Sequence, residues 1–362
     1  MDQQPTIKLS PEYLEQNPLV QIAIVAFPLL VIAFVIGAFA SWTFLIIRVR
    51  QGKPLLAPEP WRPRVWGFAD ILLSATLILF WQVQSAIIGN NALGINRQEL
   101  AGNDTISLPL ATILSLGNIA AMLSICAWLV IRHQASLTQL GFGLTRWWKH
   151  IALGVIAALA SIPLVYALMA AVSAGFDNKY AHPLLEELKR EGSLPAFLLA
   201  VTSAVLIAPL AEEFFFRVLI QGWLQSAPFG SLKSILLGQR EQAQPLFVAT
   251  QNEISVTPSQ SSPYAPLNAM VANFEPTHDS TETSPLIPPL WPSFVTGTLF
   301  GLAHFSYGLS FIPLIVLGII LGLLYRTTHS IWPSLVVHFM LNGSSMLALG
   351  FSILIERAAS FS

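Results

Sequence analysis

Apolar residues run along this chain in long blocks separated by short polar connections, the pattern of helices that cross a bilayer, each needing about 20 mostly apolar residues. On that criterion, spans are predicted near Leu19 to Ile47, Val65 to Gly89, Leu108 to Ile131 and Ile151 to Gly175. Four more are predicted near Pro195 to Leu224, Trp291 to Ser306, Leu309 to Tyr325 and Ile331 to Ile355. The sixth and seventh are short and separated only by Tyr307 and Gly308, so they read as a tight helical hairpin or as helices crossing obliquely. The expected fold is all-α, a polytopic membrane helix bundle of about eight transmembrane helices. It divides into N-terminal helices over 1–194 and a second half over 195–355. No internal repeat is visible.

One stretch breaks the pattern. Between Ser226 and Leu290 the chain is rich in Ser, Thr, Pro, Gln and Asn. Such a segment buries too little apolar surface to offset its ordering entropy, so disorder or loose docking is expected there. Only Ser231 to Gly238, SLKSILLG, is expected to form a short interfacial helix.

Composition agrees with the pattern. Hydrophobic residues make up 54% of the 362 and charged residues 10%, against about a quarter charged in soluble proteins, so much of the surface is solvated by lipid. A formal charge of −1 offers no basic footprint for nucleic acid. The single cysteine, Cys126, forms no intrachain disulfide and has no nearby base for a thiol mechanism. The first eighteen residues lack the short apolar core of a cleaved signal peptide, and the first span is expected to serve as the insertion signal.

Lys and Arg collect on the cytoplasmic side of short loops. With the N-terminus outside, cytoplasmic loops hold eleven of the eighteen basic residues, beginning with Arg48, Arg50 and Lys53; six lie opposite, and Arg217 lies inside a span. An integral, multi-pass location follows, in the cell membrane if the source is bacterial.

Ionisable groups at membrane depth cost about 2.5 to 3.5 kcal/mol each, so they mark function by default. They gather in the second half: Glu212, Glu213 and Arg217 in the fifth span, His304 in the sixth, His338 with Asn342 in the eighth. Glu213 and Arg217 are four apart and can pair. Glu212 is rotated from Glu213 by about 100°, which leaves it available for chemistry. His338 and Asn342 share a face, whereas His304 must be brought in by packing, for which Gly297, Gly301, Gly318 and Gly322 supply close-approach surfaces. A buried carboxylate can act as general base toward a water attacking a peptide carbonyl, a histidine can share that water, and a second histidine and an amide can stabilise the oxyanion. Alternatively, Glu212, His304 and His338 could bind a divalent metal such as Zn2+ that acidifies the water.

The motifs E-E-x-x-x-R at Glu212 to Arg217, F-x-x-x-H at Phe300 to His304 and H-x-x-x-N at His338 to Asn342, in this order, resemble the signature of the CAAX prenyl endopeptidase and bacteriocin-processing (Abi) family of intramembrane proteases. The resemblance covers roughly Pro195 to Ile355. It implies that Glu212 and His304 activate water, that His338 and Asn342 stabilise the oxyanion or complete a metal site, and that Glu213 and Arg217 hold the helix. The implied partners are membrane lipids and a membrane-associated protein or peptide substrate, not nucleic acid. The insertion between the first two motifs departs from the family pattern and bears on substrate access.

The rival classes are a transporter or channel, whose pathways also use intramembrane ionisable groups but which no inverted repeat supports, and a catalytically silent adaptor of the same fold. Asp70 reads as a snorkelling or capping group, His133, His150 and His329 as solvated at helix ends, and His182 and His278 as loop residues. Phe214 to Phe216 read as lipid-facing or helix-packing side chains.

Overall fold

A computed structural model describes residues 17–94 except 57, 60 and 62, then 107–176, 188, 193–239 and 288–360. Nine helices carry the described chain: α1 Pro18–Arg50, α2 Phe68–Leu93, α3 Leu108–His133, α4 Trp147–Phe176, the composite α5 Leu194–Phe229, α6 Leu232–Leu237, α7 Trp291–Leu302, α8 Phe311–Thr328 and α9 Trp332–Ser360. No strand occurs among the described residues. Among the described residues, seven helices are long and apolar enough to cross a membrane. The predicted sixth span is the exception: α7 has 12 residues, about 18 Å at 1.5 Å per residue, short of a hydrocarbon core of about 30 Å.

α7 is folded against α8 as a hairpin, and glycine makes that closeness possible. A Cβ on Gly318 would lie 2.7 Å from the Gly297 carbonyl oxygen, and one on Gly297 would lie 2.5 Å from the backbone nitrogen of Ile319. Backbone meets backbone without side chains between, as in small-xxx-small contacts. Gly318→Val must therefore part the two helices that carry His304 and its support. The variant is expected to lose about 1–3 kcal/mol of stability by overpacking, read as a lower midpoint of thermal unfolding in detergent; an unchanged midpoint would show the hairpin to be loose.

The bundle has three apolar cores. One joins α2, α3, α5 and the loop after α3 around Ile125, Leu129, Phe214 and Val218; a second joins α4, α7, α8 and α9 around Ile162, Phe300, Leu321 and Val337; a third closes the far ends of α3, α5 and α9. α1 lies at the periphery, exposing Ile22, Val25, Ile36 and Phe39, as a lipid-solvated helix does.

At one end of the bundle the connections rich in basic residues meet. Arg64 is buried and donates from Nη2 to the Tyr325 hydroxyl at 2.7 Å and to the His329 carbonyl at 3.4 Å. The expected interfacial helix is there as α6, capped by the Ser231 hydroxyl and ended by Gly238 at φ 72°. The Gln239 N–H then donates to Val65 O. The part of the insertion expected to be disordered, together with His182 and His278, lies outside the described residues.

Three histidines expected to be solvated are not. His133 is 2% exposed, its Nε2 2.9 Å from Asp70 Oδ2 and its Nδ1 3.0 Å from Gln239 O. Asp70 does cap α2, accepting the Gly67 N–H, but it is buried rather than snorkelling, and also accepts from Trp128 Nε1. His150 is buried with Nε2 3.0 Å from Glu59 Oε1. His329, in the left-handed conformation that ends α8, donates from Nε2 to Glu59 O. Helix-end position suggested solvent; the folded loops cover these ends instead.

Burial, then the nearby Arg64 and Arg326 charges, push the His329 pKa down from 6.5 to about 3. The folded state thus holds a neutral imidazole that the unfolded chain protonates below about 6.5, so His329 favours folding above that pH and opposes it increasingly as pH falls toward about 3. His329→Asn, which suits the left-handed conformation, is expected to flatten the fall in thermal midpoint between pH 7 and pH 4. Parallel curves for the two proteins would contradict this.

Candidate active site

The fifth span is not a regular helix where it carries its glutamates. Thr202–Ile207 and Phe214–Gln221 are π-helical, on either side of the α turn Ala208–Glu213; single π turns inside helices often accompany functional sites. Pro209 gives part of the reason. The Ala208 N–H bonds Ser203 O, five residues back. In the same register Ala204 O would await an N–H from Pro209, which has none. Asn342 supplies the missing donor, its Nδ2 lying 2.8 Å from Ala204 O. One amide hydrogen of Asn342 thus ties α9 to the opened turn of α5.

Glu213 and Arg217 are fully buried and paired, Arg217 Nε donating to Glu213 Oε2 at 3.0 Å. The other carboxylate oxygen, Oε1, lies 3.1 Å from His338 Nδ1. A carboxylate only accepts, so Nδ1 carries hydrogen and His338 Nε2 is turned toward Glu212, 3.7 Å from its Oε2. Glu213 therefore orients a histidine as well as neutralising an arginine, more than the pairing expected from spacing.

His304 follows the end of α7, where the chain tightens into the 3-10 turn Phe305–Ser310. Its Nδ1 donates to Phe300 O at 2.8 Å, and its Nε2 lies 4.0 Å from Glu212 Oε2. Both histidines thus direct Nε2 at the same oxygen of Glu212. The Glu212 side chain is 30% exposed and that of His304 20%, against 0% for Glu213. Two adjacent glutamates have been placed in opposite environments.

Phe300 is the floor of this arrangement. It is fully buried, with ring centroids 5.0 Å from His304, 5.5 Å from His338 and 5.4 Å from Phe216, and the Arg217 guanidinium lies 5.2 Å over its face. The cation–π contact is the main interaction given to that end of Arg217, whose Nη1 and Nη2 have no hydrogen-bond partner among the described residues. Phe214 packs on Phe142 with centroids 6.0 Å apart, so at least two of the three phenylalanines pack helices.

Beneath the site runs a network of uncharged polar groups that charge alone does not mark. Gln221 is fully buried and donates to Gly322 O at 2.7 Å and Ser293 Oγ at 3.2 Å, while Thr296 Oγ1 donates to Gln221 Oε1 at 3.1 Å. It fastens α5 to the α7–α8 hairpin. Its signal was available: an uncharged amide at membrane depth also needs partners.

What fits between Glu212 and the two histidines? Among the described residues no group of three or more His, Cys, Asp and Glu side chains is placed to hold a metal ion. Donors sharing a tetrahedral Zn2+ at about 2.0–2.1 Å would lie about 3.4 Å apart, closer than the 3.7 and 4.0 Å seen here. As placed, these donors stand farther apart than the ligands of one Zn2+, and no step below uses a metal. A water about 2.8 Å from both oxygen and nitrogen spans such a gap without strain.

Residues 277–344 match the family model described as type II CAAX prenyl endopeptidase Rce1-like, which supports membership of the CAAX prenyl endopeptidase and bacteriocin-processing family. The matched region holds His304, His338 and Asn342, and Glu212 to Arg217 precede it. No curated protein and no solved structure matches the chain.

Proposed function

We propose that this chain, a membrane protein of the CAAX prenyl endopeptidase and bacteriocin-processing family, is an intramembrane endopeptidase in which Glu212 activates water against a peptide bond. The observation that supports it best is the convergence of His304 Nε2 and His338 Nε2 on one oxygen of a half-exposed glutamate. Glu212 takes a proton from a water shared with His304, the hydroxide adds to the scissile carbonyl, and the proton passes to the departing amine. His338 in its imidazolium form, with Nδ1–H on Glu213 and Nε2–H toward the site, and the second amide hydrogen of Asn342 donate to the oxyanion. Substrate is a membrane-associated protein or peptide, approached from the end of the bundle where the basic connections meet.

Purified protein in nanodiscs is expected to cut a membrane-anchored test peptide, and to go on cutting after exhaustive chelation with no metal found by elemental analysis. No cleavage of any of a broad panel of anchored peptides would sink the peptidase reading in favour of transport or an adaptor role; activity lost to the chelator and restored by Zn2+ would sink the metal-free mechanism alone.

A further inference from the structure

The face of α9 that carries His338 and Asn342 continues past them. At about 100° and 1.5 Å per residue, Ser345 lies within about 20° of His338 around the helix and about 4.5 Å beyond Asn342 along it. Ser345 is exposed. Its polar partner comes from α4: the Tyr166 hydroxyl lies 2.8 Å from Ser345 Oγ and 2.8 Å from Ser344 Oγ. α4 lies outside the matched residues 277–344, so the family match does not account for this contact.

Counting hydrogens fixes which way the hydroxyls point. Ser344 Oγ donates its one hydrogen to Leu341 O at 2.8 Å. The contact between Tyr166 and Ser344 must then use the phenol hydrogen, and the contact between Tyr166 and Ser345 the hydrogen of Ser345. A file of donors runs from Ser345 through Tyr166 and Ser344 to the Leu341 carbonyl. Its exposed end, Ser345 Oγ, keeps only lone pairs. Beside the site, Ser345 can accept a hydrogen bond but has no hydrogen to offer.

An acceptor at that place suits one feature of a peptide under attack. Cleavage needs an extended stretch of chain, whose main-chain N–H groups have left their helical partners, and each is costly in hydrocarbon until it finds another. His338 and Asn342 donate, and so meet a carbonyl oxygen; Ser345 accepts, and so meets an N–H. Extended residues rise about 3.3 Å each, so a step of about 4.5 Å along α9 places that N–H within about two residues of the carbonyl. We infer that Ser345 Oγ receives a main-chain N–H of the bound peptide next to the bond being cut, and that Tyr166 is a positioning residue, holding the Ser345 hydrogen so that the oxygen faces the peptide. This rests on the peptidase reading for its occupant, and extends it to recognition of the substrate's backbone.

Ester substitution tests it, because an ester keeps the shape of the chain and lacks one N–H. A Glu212→Gln protein in nanodiscs is titrated with a fluorescent, end-blocked leucine–alanine pentapeptide and with analogues in which each amide in turn is an ester, empty nanodiscs being subtracted. At least one ester analogue is expected to bind about tenfold more weakly than the all-amide peptide, the order of one lost hydrogen bond, and to lose that deficit when Ser345→Ala is added. Tyr166→Phe, which keeps the ring and frees the Ser345 hydrogen, is expected to shrink the deficit, and serves should Ser345→Ala fail to fold. Ser344→Ala leaves Ser345 bonded to Tyr166 and is expected to preserve it, which a merely structural role of the cluster would not predict. No saturable binding, no weaker ester analogue, or a deficit unmoved by Ser345→Ala or by Tyr166→Phe overturns the inference. Any of these results beside cleavage by the wild type would leave the peptidase reading intact; the expected pattern without cleavage would sink that reading and leave the binding site standing.

Discussion

Glu212→Gln is expected to lower turnover of an anchored peptide by about a hundredfold or more, the usual contribution of a general base, while the thermal midpoint stays near that of the parent. The two halves of this expectation have separate causes. Glu212 is a half-exposed carboxylate whose nearest polar partners are two imidazole nitrogens 3.7 and 4.0 Å away, too far for direct hydrogen bonds. Replacing its carboxylate by an isosteric amide removes the base without breaking a bond on which packing depends. Turnover that survives within a few-fold would end the assignment of Glu212 as base. A collapse of the midpoint would instead show that its charge is structural.

For Glu213→Gln the order of effects reverses. This carboxylate is fully buried and accepts from both Arg217 Nε and His338 Nδ1. The amide keeps the shape but leaves Arg217 charged and uncompensated within the bundle, which costs about 3–5 kcal/mol in buried pairs broken from one side. Much of the protein is expected to be lost to aggregation on extraction. The double variant Glu213→Gln with Arg217→Met removes both charges, and is expected to recover most of the stability but not the activity, since His338 loses the carboxylate that orients and charge-stabilises it. Midpoints and turnover of the two singles and the double, taken as a cycle, separate the contributions. Additive losses in the cycle would mean that the pair is not coupled, contrary to the 3.0 Å contact.

The two glutamates also show how far the chain could be read without its fold. Helical spacing alone paired Glu213 with Arg217 and set Glu212 aside, because the angle between neighbours on a helix is fixed by backbone geometry. Span positions were legible for the same kind of reason: hydrocarbon thickness sets a minimum apolar length, and α1 to α5, α8 and α9 meet it. The short α7 was legible as half of a hairpin or as an obliquely crossing helix, with glycines marking close approach; its folding against α8 chose the hairpin. The apolar run within Ser231 to Gly238 was legible as the short helix α6.

Tertiary structure decided everything that depends on a partner distant in sequence. That Glu213 holds His338, that Asn342 repairs the bond Pro209 cannot make, and that Phe300 lies under two histidines and an arginine all require α5, α7 and α9 to meet; no local period encodes these contacts. His133, His150 and His329 were misread for the same reason, since a helix end is wet only if no loop folds over it. Local sequence sets helix length and which residues share a face, through fixed rise and rotation per residue. Which faces meet is set by packing over the whole bundle, where polar groups without water must find one another across helices, and only the folded chain contains that solution.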